Sequence, residues 1–79
     1  MDEQIRTDIA ENYGAECWQS ITGKLYPATD ESFRLFKFDR DVEHNGKTYR
    51  CVIVQKVVYD GHTEDIDYAE DLFAEAWQI

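Results

Sequence analysis

The chain has 79 residues, 43% of them hydrophobic and 14% aromatic, and its 17 acidic against 8 basic residues give a net charge of -9. That length holds one domain, residues 1–79, whose single core stabilises it by only about 3–5 kcal/mol. The aromatic content argues against disorder, the lack of any apolar run near ~20 residues argues against a membrane span, and the acidity argues against direct binding of DNA or RNA.

The charge is unevenly spread. Residues 1–16 hold 5 acids and 1 Arg, residues 60–79 hold 7 acids and no Lys or Arg, and the middle is slightly basic. Segregation of this kind makes strongly negative faces, which suit a basic partner better than a reaction. Met1-Asp2-Glu3-Gln4 has neither the basic start nor the apolar run of a leader, so a cytoplasmic protein is expected.

In chain order, Ile5, Ile9 and Tyr13 recur at helical spacing behind Asp2 and Glu3, whose charges favour a helix N-terminus, and predict a helix over 3–13. Gly14 is one stop for it. Ala15, Cys17, Trp18 and Ile21 could instead carry the pattern to Gly23; a short strand over 17–22 is the alternative, and the helical continuation is favoured. Residues 23–32, with Gly23, Pro27, Thr29, Asp30 and Ser32, read as a connecting loop.

Asn45-Gly46 is the preferred dipeptide for a two-residue type I′ turn, and the β-rich runs beside it predict a hairpin of strands at about 33–43 and 47–59. The turn sets the register. His44 faces Lys47, Val42 faces Tyr49, Asp41 faces Arg50, Phe38 faces Ile53 and Phe36 faces Gln55. One face then carries Phe36, Phe38, Val42, Tyr49, Cys51, Ile53 and Val57 as the core. The other mixes Lys37, Asp39, Asp41, Arg50 and Lys56 with Phe33, Leu35, Val52, Val54 and Val58. A ribbon with valines on its back is marginal alone, which points to a third strand, a covering segment or a dimer.

After Asp60-Gly61, Thr63 reads as an N-cap and Glu64, Asp65 and Asp67 as the acidic first turn of a C-terminal helix over about 64–78. Ile66, Ala69, Phe73, Ala76 and Trp77, with Leu72 at the edge, would be its apolar stripe. Glu64, Asp67, Asp71 and Glu75 would line its other side with Glu70 alongside. The predicted class is α+β, with an N-terminal helix and an acidic C-terminal helix packed on an antiparallel hairpin.

No catalytic motif accompanies these elements, and no enzyme activity or cofactor is expected. Cys17, Cys51, His44 and His62 lack the close ligand pairs of a zinc site, and the two thiols are expected reduced, in the core. Asp41-Val42-Glu43-His44-Asn45-Gly46 starts like a calcium-binding EF-hand loop, but Val52 stands where the bidentate Glu belongs. His44 reads as exposed beside the turn, His62 as part of the loop before the last helix, and Cys51 as a buried, inert thiol.

The expected site is therefore a partner-binding surface of Glu64, Asp67, Glu70, Asp71 and Glu75. On a helix, residues four apart rise about 6 Å, comparable to successive phosphates, so this row would act as a nucleic-acid mimic against a basic, nucleic-acid-binding protein. Tyr26, Tyr59 and Tyr68 are candidate anchors at its rim. In size, acidity and lack of catalytic motifs the chain resembles phage-encoded anti-defence inhibitors such as anti-CRISPR and anti-restriction proteins, which implies a small inhibitor. The alternative is a small structural or regulatory module that pairs through the sheet edge or the half-apolar back of the hairpin, as a homodimer or as an antitoxin-like or adaptor subunit.

Overall fold

The computed structural model describes residues 1–22 and 31–79. Helix α1 (Glu3–Tyr13) and a 3₁₀ turn (Ala15–Cys17) lead into strands β1 (Gln19–Thr22), β2 (Glu31–His44), β3 (Lys47–Asp60) and β4 (Ile66–Gln78). The strands form one antiparallel sheet in the order β1-β2-β3-β4. The loop expected over 23–32 lies outside the described residues as far as residue 30, and with it Tyr26; β2 already begins at Glu31.

The helix forms for the reasons visible in its sequence. Asp2 caps it, its Oδ1 accepting the Gln4 backbone N–H at 2.7 Å, and Gly14 at φ 61° ends it. Helix does not continue toward Gly23. A positive φ at Gly14 breaks the repeat, and Ala15–Cys17 makes one 3₁₀ turn before β1 pairs with β2.

Asn45 and Gly46 both have positive φ, 52° and 75°, as a type I′ turn requires. All five hairpin pairs expected from that turn occur, from His44↔Lys47 to Phe36↔Gln55. Even-numbered residues of β2 and odd-numbered residues of β3 thus share the face under α1. There Ile5 and Ile9 are buried against Phe38, Val42, Cys51 and Ile53, and Tyr13 and Trp18 set their rings against Phe38 at 5.6 and 5.5 Å.

The expected C-terminal helix is absent, and β4 takes its place. Residues of β4 pair with β3 from Tyr49↔Gln78 to Tyr59↔Ile66. Two forces override the helical pattern. Without a partner, the outer backbone groups of a 14-residue β3 would have no ladder to join. In a helix, moreover, Asp67, Asp71 and Glu75 would repel one another at i, i+4 spacing with no cation to offset them. The residues read as a helix start make a turn instead. Asp60 Oδ1 accepts the His62 and Thr63 N–H groups at 2.8 and 3.3 Å, and Thr63 Oγ1 accepts the Asp65 N–H at 3.4 Å. Ser, Thr and Asp serve caps and turns by the same local bonding.

Two register shifts shape β4. Asp67 and Leu72 fall where the pairing skips a residue, so each is a bulge. Between and beyond them, Ala69, Asp71, Ala74 and Ala76 share the helix side, while Tyr68, Glu70, Phe73, Glu75 and Trp77 share the far side. Ala74 and Ala76 pack at the edge of the core.

Ile9 is 0% exposed at the centre of this packing. Ile9→Ala is expected to cost about 2–5 kcal/mol, which is comparable to the whole stability of so small a domain. A urea titration followed by circular dichroism should find this variant largely unfolded without denaturant, while Ile21→Ala, at a side chain 48% exposed, stays within about 0.5 kcal/mol of the parent.

Candidate functional site

The five acids expected to form one row are dispersed by the strand. Glu64 lies in the β3–β4 turn at φ 63°, and Asp67 in the first bulge. Asp71, opposite Gln55, faces the helix, where Arg6 donates to it from Nε at 3.2 Å and from Nη2 at 3.3 Å. Arg6 also stacks on Trp18, 5.2 Å from the ring centre, so Asp71 is a fastening of α1 to β4. Only Glu70, opposite Lys56, and Glu75, opposite Val52, remain together on the far face.

That face has its own logic in cross-strand rows. Phe33, Val58 and Tyr68 are adjacent across three strands, then Leu35, Lys56 and Glu70, then Lys37, Val54 and Phe73, then Asp39, Val52 and Glu75, then Asp41, Arg50 and Trp77. On the hairpin the charges neutralise one another. Arg50 reaches Asp39 at 2.9 Å and Asp41 at 3.2 Å, and Lys37 reaches Asp39 at 3.5 Å. Asp41 by its hydrogen bond, then Asp39 by its charge, push the Arg50 guanidinium further up. Lys56 turns away from Glu70 and places Nζ 4.8 Å over the Phe33 ring.

On the far side of β4 no such neutralisation occurs among the described residues. Among the described residues neither Glu70 nor Glu75 forms an ion pair. They alternate with three aromatics, Tyr68, Phe73 and Trp77, which are 45%, 48% and 51% exposed. Phe73 and Trp77 were expected in a buried stripe, and the sequence reading missed them as surface groups. Their signal is an aromatic–acid alternation that becomes visible only when Leu72 is removed from the count. Tyr68 is exposed as expected, whereas Tyr59 is half-buried.

The other candidate residues are structural. Both cysteines are free; Cys51 is fully buried and Cys17 half-buried. Burial first, and Asp41 second, push the Cys51 thiol up, which keeps it protonated and unreactive. Among the described residues no three His, Cys, Asp or Glu side chains come together as a metal site. None of the described helices is long and apolar enough to cross a membrane.

His44 differs from its expected exposure. It is 9% exposed, with Nδ1 2.8 Å from Asp8 Oδ2, and so ties the turn end of β2 to α1. This contact, followed by the hydrogen bond from Gln4, holds the Asp8 carboxyl below its ordinary value of 3.8. A depressed carboxyl contributes stability above its unfolded pKa and loses it as the pH falls through the folded value. Urea melts between about pH 2.5 and 5 should therefore show an acid-induced loss of stability in the parent that is smaller in Asp8→Asn.

No protein-family model matches the chain, and no curated protein or solved structure matches it.

Proposed function

We propose that this chain is a non-enzymatic binding protein that sets β4 against a basic surface of another protein and inhibits by occupying it. The observation that carries this reading is the far side of β4, where two carboxylates without ion-pair partners among the described residues alternate with three exposed aromatics. The aromatics offer area and the carboxylates offer selection for cations. Extended basic surfaces are typical of proteins that hold phosphates, so a nucleic-acid-binding protein is the partner class. The compositional likeness to phage anti-CRISPR and anti-restriction inhibitors belongs with this reading.

The strand changes how such inhibition would work. Alternate residues on one strand face lie about 6.6–6.8 Å apart, and Glu70 and Glu75 are separated by roughly twice that, with Phe73 between them. Their spacing does not follow successive phosphates. The protein competes by covering the basic site rather than by copying a phosphate row.

Capture from a nuclease-treated lysate tests the proposal. The tagged parent is expected to retain a nucleic-acid-binding protein that a Glu70→Gln, Glu75→Gln variant loses, with retention falling as salt is raised. Asp71 is left intact in this variant because it holds Arg6. Equal, salt-insensitive capture by both proteins would sink the proposal.

A second reading is self-association through the far face, which the half-buried Phe33, Leu35, Val52 and Val54 favour. Val54 sits between Lys37 and Phe73 in its row. Sedimentation equilibrium should then find a concentration-dependent dimer that Val54→Lys returns to monomer; a parent that stays monomeric at all concentrations excludes this reading.

A further inference from the structure

The type I′ turn determines more than the hairpin. In a two-residue hairpin the closing pair, His44↔Lys47, exchanges both hydrogen bonds, and bonded and non-bonded pairs then alternate along the ladder. Odd-numbered β3 residues therefore bond to β2, and the backbone groups of even-numbered residues turn toward β4. The Thr48 carbonyl does so, accepting the Ile79 N–H at 3.0 Å. Their partners, Phe73, Glu75 and Trp77 opposite Val54, Val52 and Arg50, direct their backbone groups back to β3. The backbone N–H and C=O of Ala74, Ala76 and Gln78 consequently point away from the sheet.

This outward row has the features of an acceptor edge. β4 is the last strand of the sheet, and after the Leu72 bulge its pairing is regular from Phe73 to Gln78. The side chains on the outward-bonding residues Ala74 and Ala76 are small, so they leave room for another backbone. Bulges and charges usually protect such an edge, yet here the one charge in the regular stretch is Glu75. A residue added opposite Glu75 would lie between Phe73 and Trp77, where a carboxylate and two ring faces all favour a cation.

Building on the acidic-surface reading above, we propose that β4 receives an extended, Arg- or Lys-bearing segment of the partner as a fifth strand, antiparallel to residues 73–78. The segment's backbone bonds to Ala74 and Ala76, and its alternate cationic side chains lie on the far face against Glu75, Phe73 and Trp77. A second copy of this chain fits the edge poorly. In every antiparallel β4–β4 register the far-face positions bring only acids and aromatics together, because residues 60–79 contain no Lys or Arg.

A synthetic peptide of alternating Arg and Thr tests this against the intact protein, with a control peptide N-methylated at its Thr amides. Methylation removes the donors for Ala74 and Ala76 but keeps every charge. Amide exchange at Ala74 and Ala76 is expected to slow about tenfold or more with the first peptide, and fluorescence anisotropy should show the methylated one binding about tenfold more weakly. In Glu75→Lys, an alternating Glu and Thr peptide should displace the Arg peptide as the preferred ligand. Equal binding of the two Arg peptides without amide protection overturns strand addition and leaves the acidic-surface reading standing. Binding of neither peptide also overturns strand addition, and insensitivity of lysate capture to Glu70 and Glu75 then removes the acidic-surface reading as well. Protection of the same amides by protein concentration alone would assign the edge to a second copy and overturn the proposal.

Discussion

Two adjacent residues in left-handed backbone, Asn45 and Gly46, are the constraint on which the rest of this molecule depends. A two-residue turn permits only one parity of side chains across the hairpin. That parity puts Phe38, Val42, Cys51 and Ile53 on the side that receives Ile5 and Ile9, and it puts Lys37, Asp39, Asp41, Arg50 and Lys56 on the other. It also decides which edge of β3 still needs hydrogen bonds, and so where the C-terminal segment must go. Core, sheet order and free edge follow from one local preference.

The same preference explains how much could be read from the sequence. Helix α1, its cap at Asp2, the turn and every hairpin pair depend on local chemistry that neighbours in the chain report directly. The strand β4 depends on β3, far from it in sequence, and its own residues disguise it. Removing Asp67 and Leu72 from the count yields strict alternation of Ile66, Ala69, Asp71, Ala74 and Ala76 with Tyr68, Glu70, Phe73, Glu75 and Trp77. Leaving them in gives apolar residues at helical spacing. The valines on the back of the hairpin pointed to a third strand, a covering segment or a dimer, but nothing local decided among them or named the segment. Thr63 and its acidic neighbours compounded the confusion, because their turn uses the residues of a helix cap.

The expected acidic row suffered from the same substitution of strand for helix. Charge that a helix would gather on one side is divided by a strand between two, and Asp71 was lost to Arg6 and Gln55 on the helix side. What the far side kept is less acidic than expected and considerably more aromatic. The net charge still matters over longer range, where it steers cationic surfaces toward the protein and discourages like molecules from approaching. In the proposed complex, close contact is then a matter of five side chains on one strand.

The Leu72 bulge also has a meaning in the currency of sequence change. Between the two bulges odd-numbered residues of β4 face the helix, and beyond Leu72 even-numbered ones do. Were Leu72 paired in the ladder rather than bulged out, Phe73, Glu75 and Trp77 would turn under α1, where Ala74 and Ala76 now leave room, and the alanines would be exposed. Substitutions along β4 can therefore accumulate with modest effect, and loss of Leu72 would only close the bulge, whereas a residue inserted into the paired stretch beyond it exchanges the two faces of the strand's outer half. Descendants of this chain are free to vary the chemistry of β4 and even to lose Leu72, but are held closely to the register of the residues beyond it.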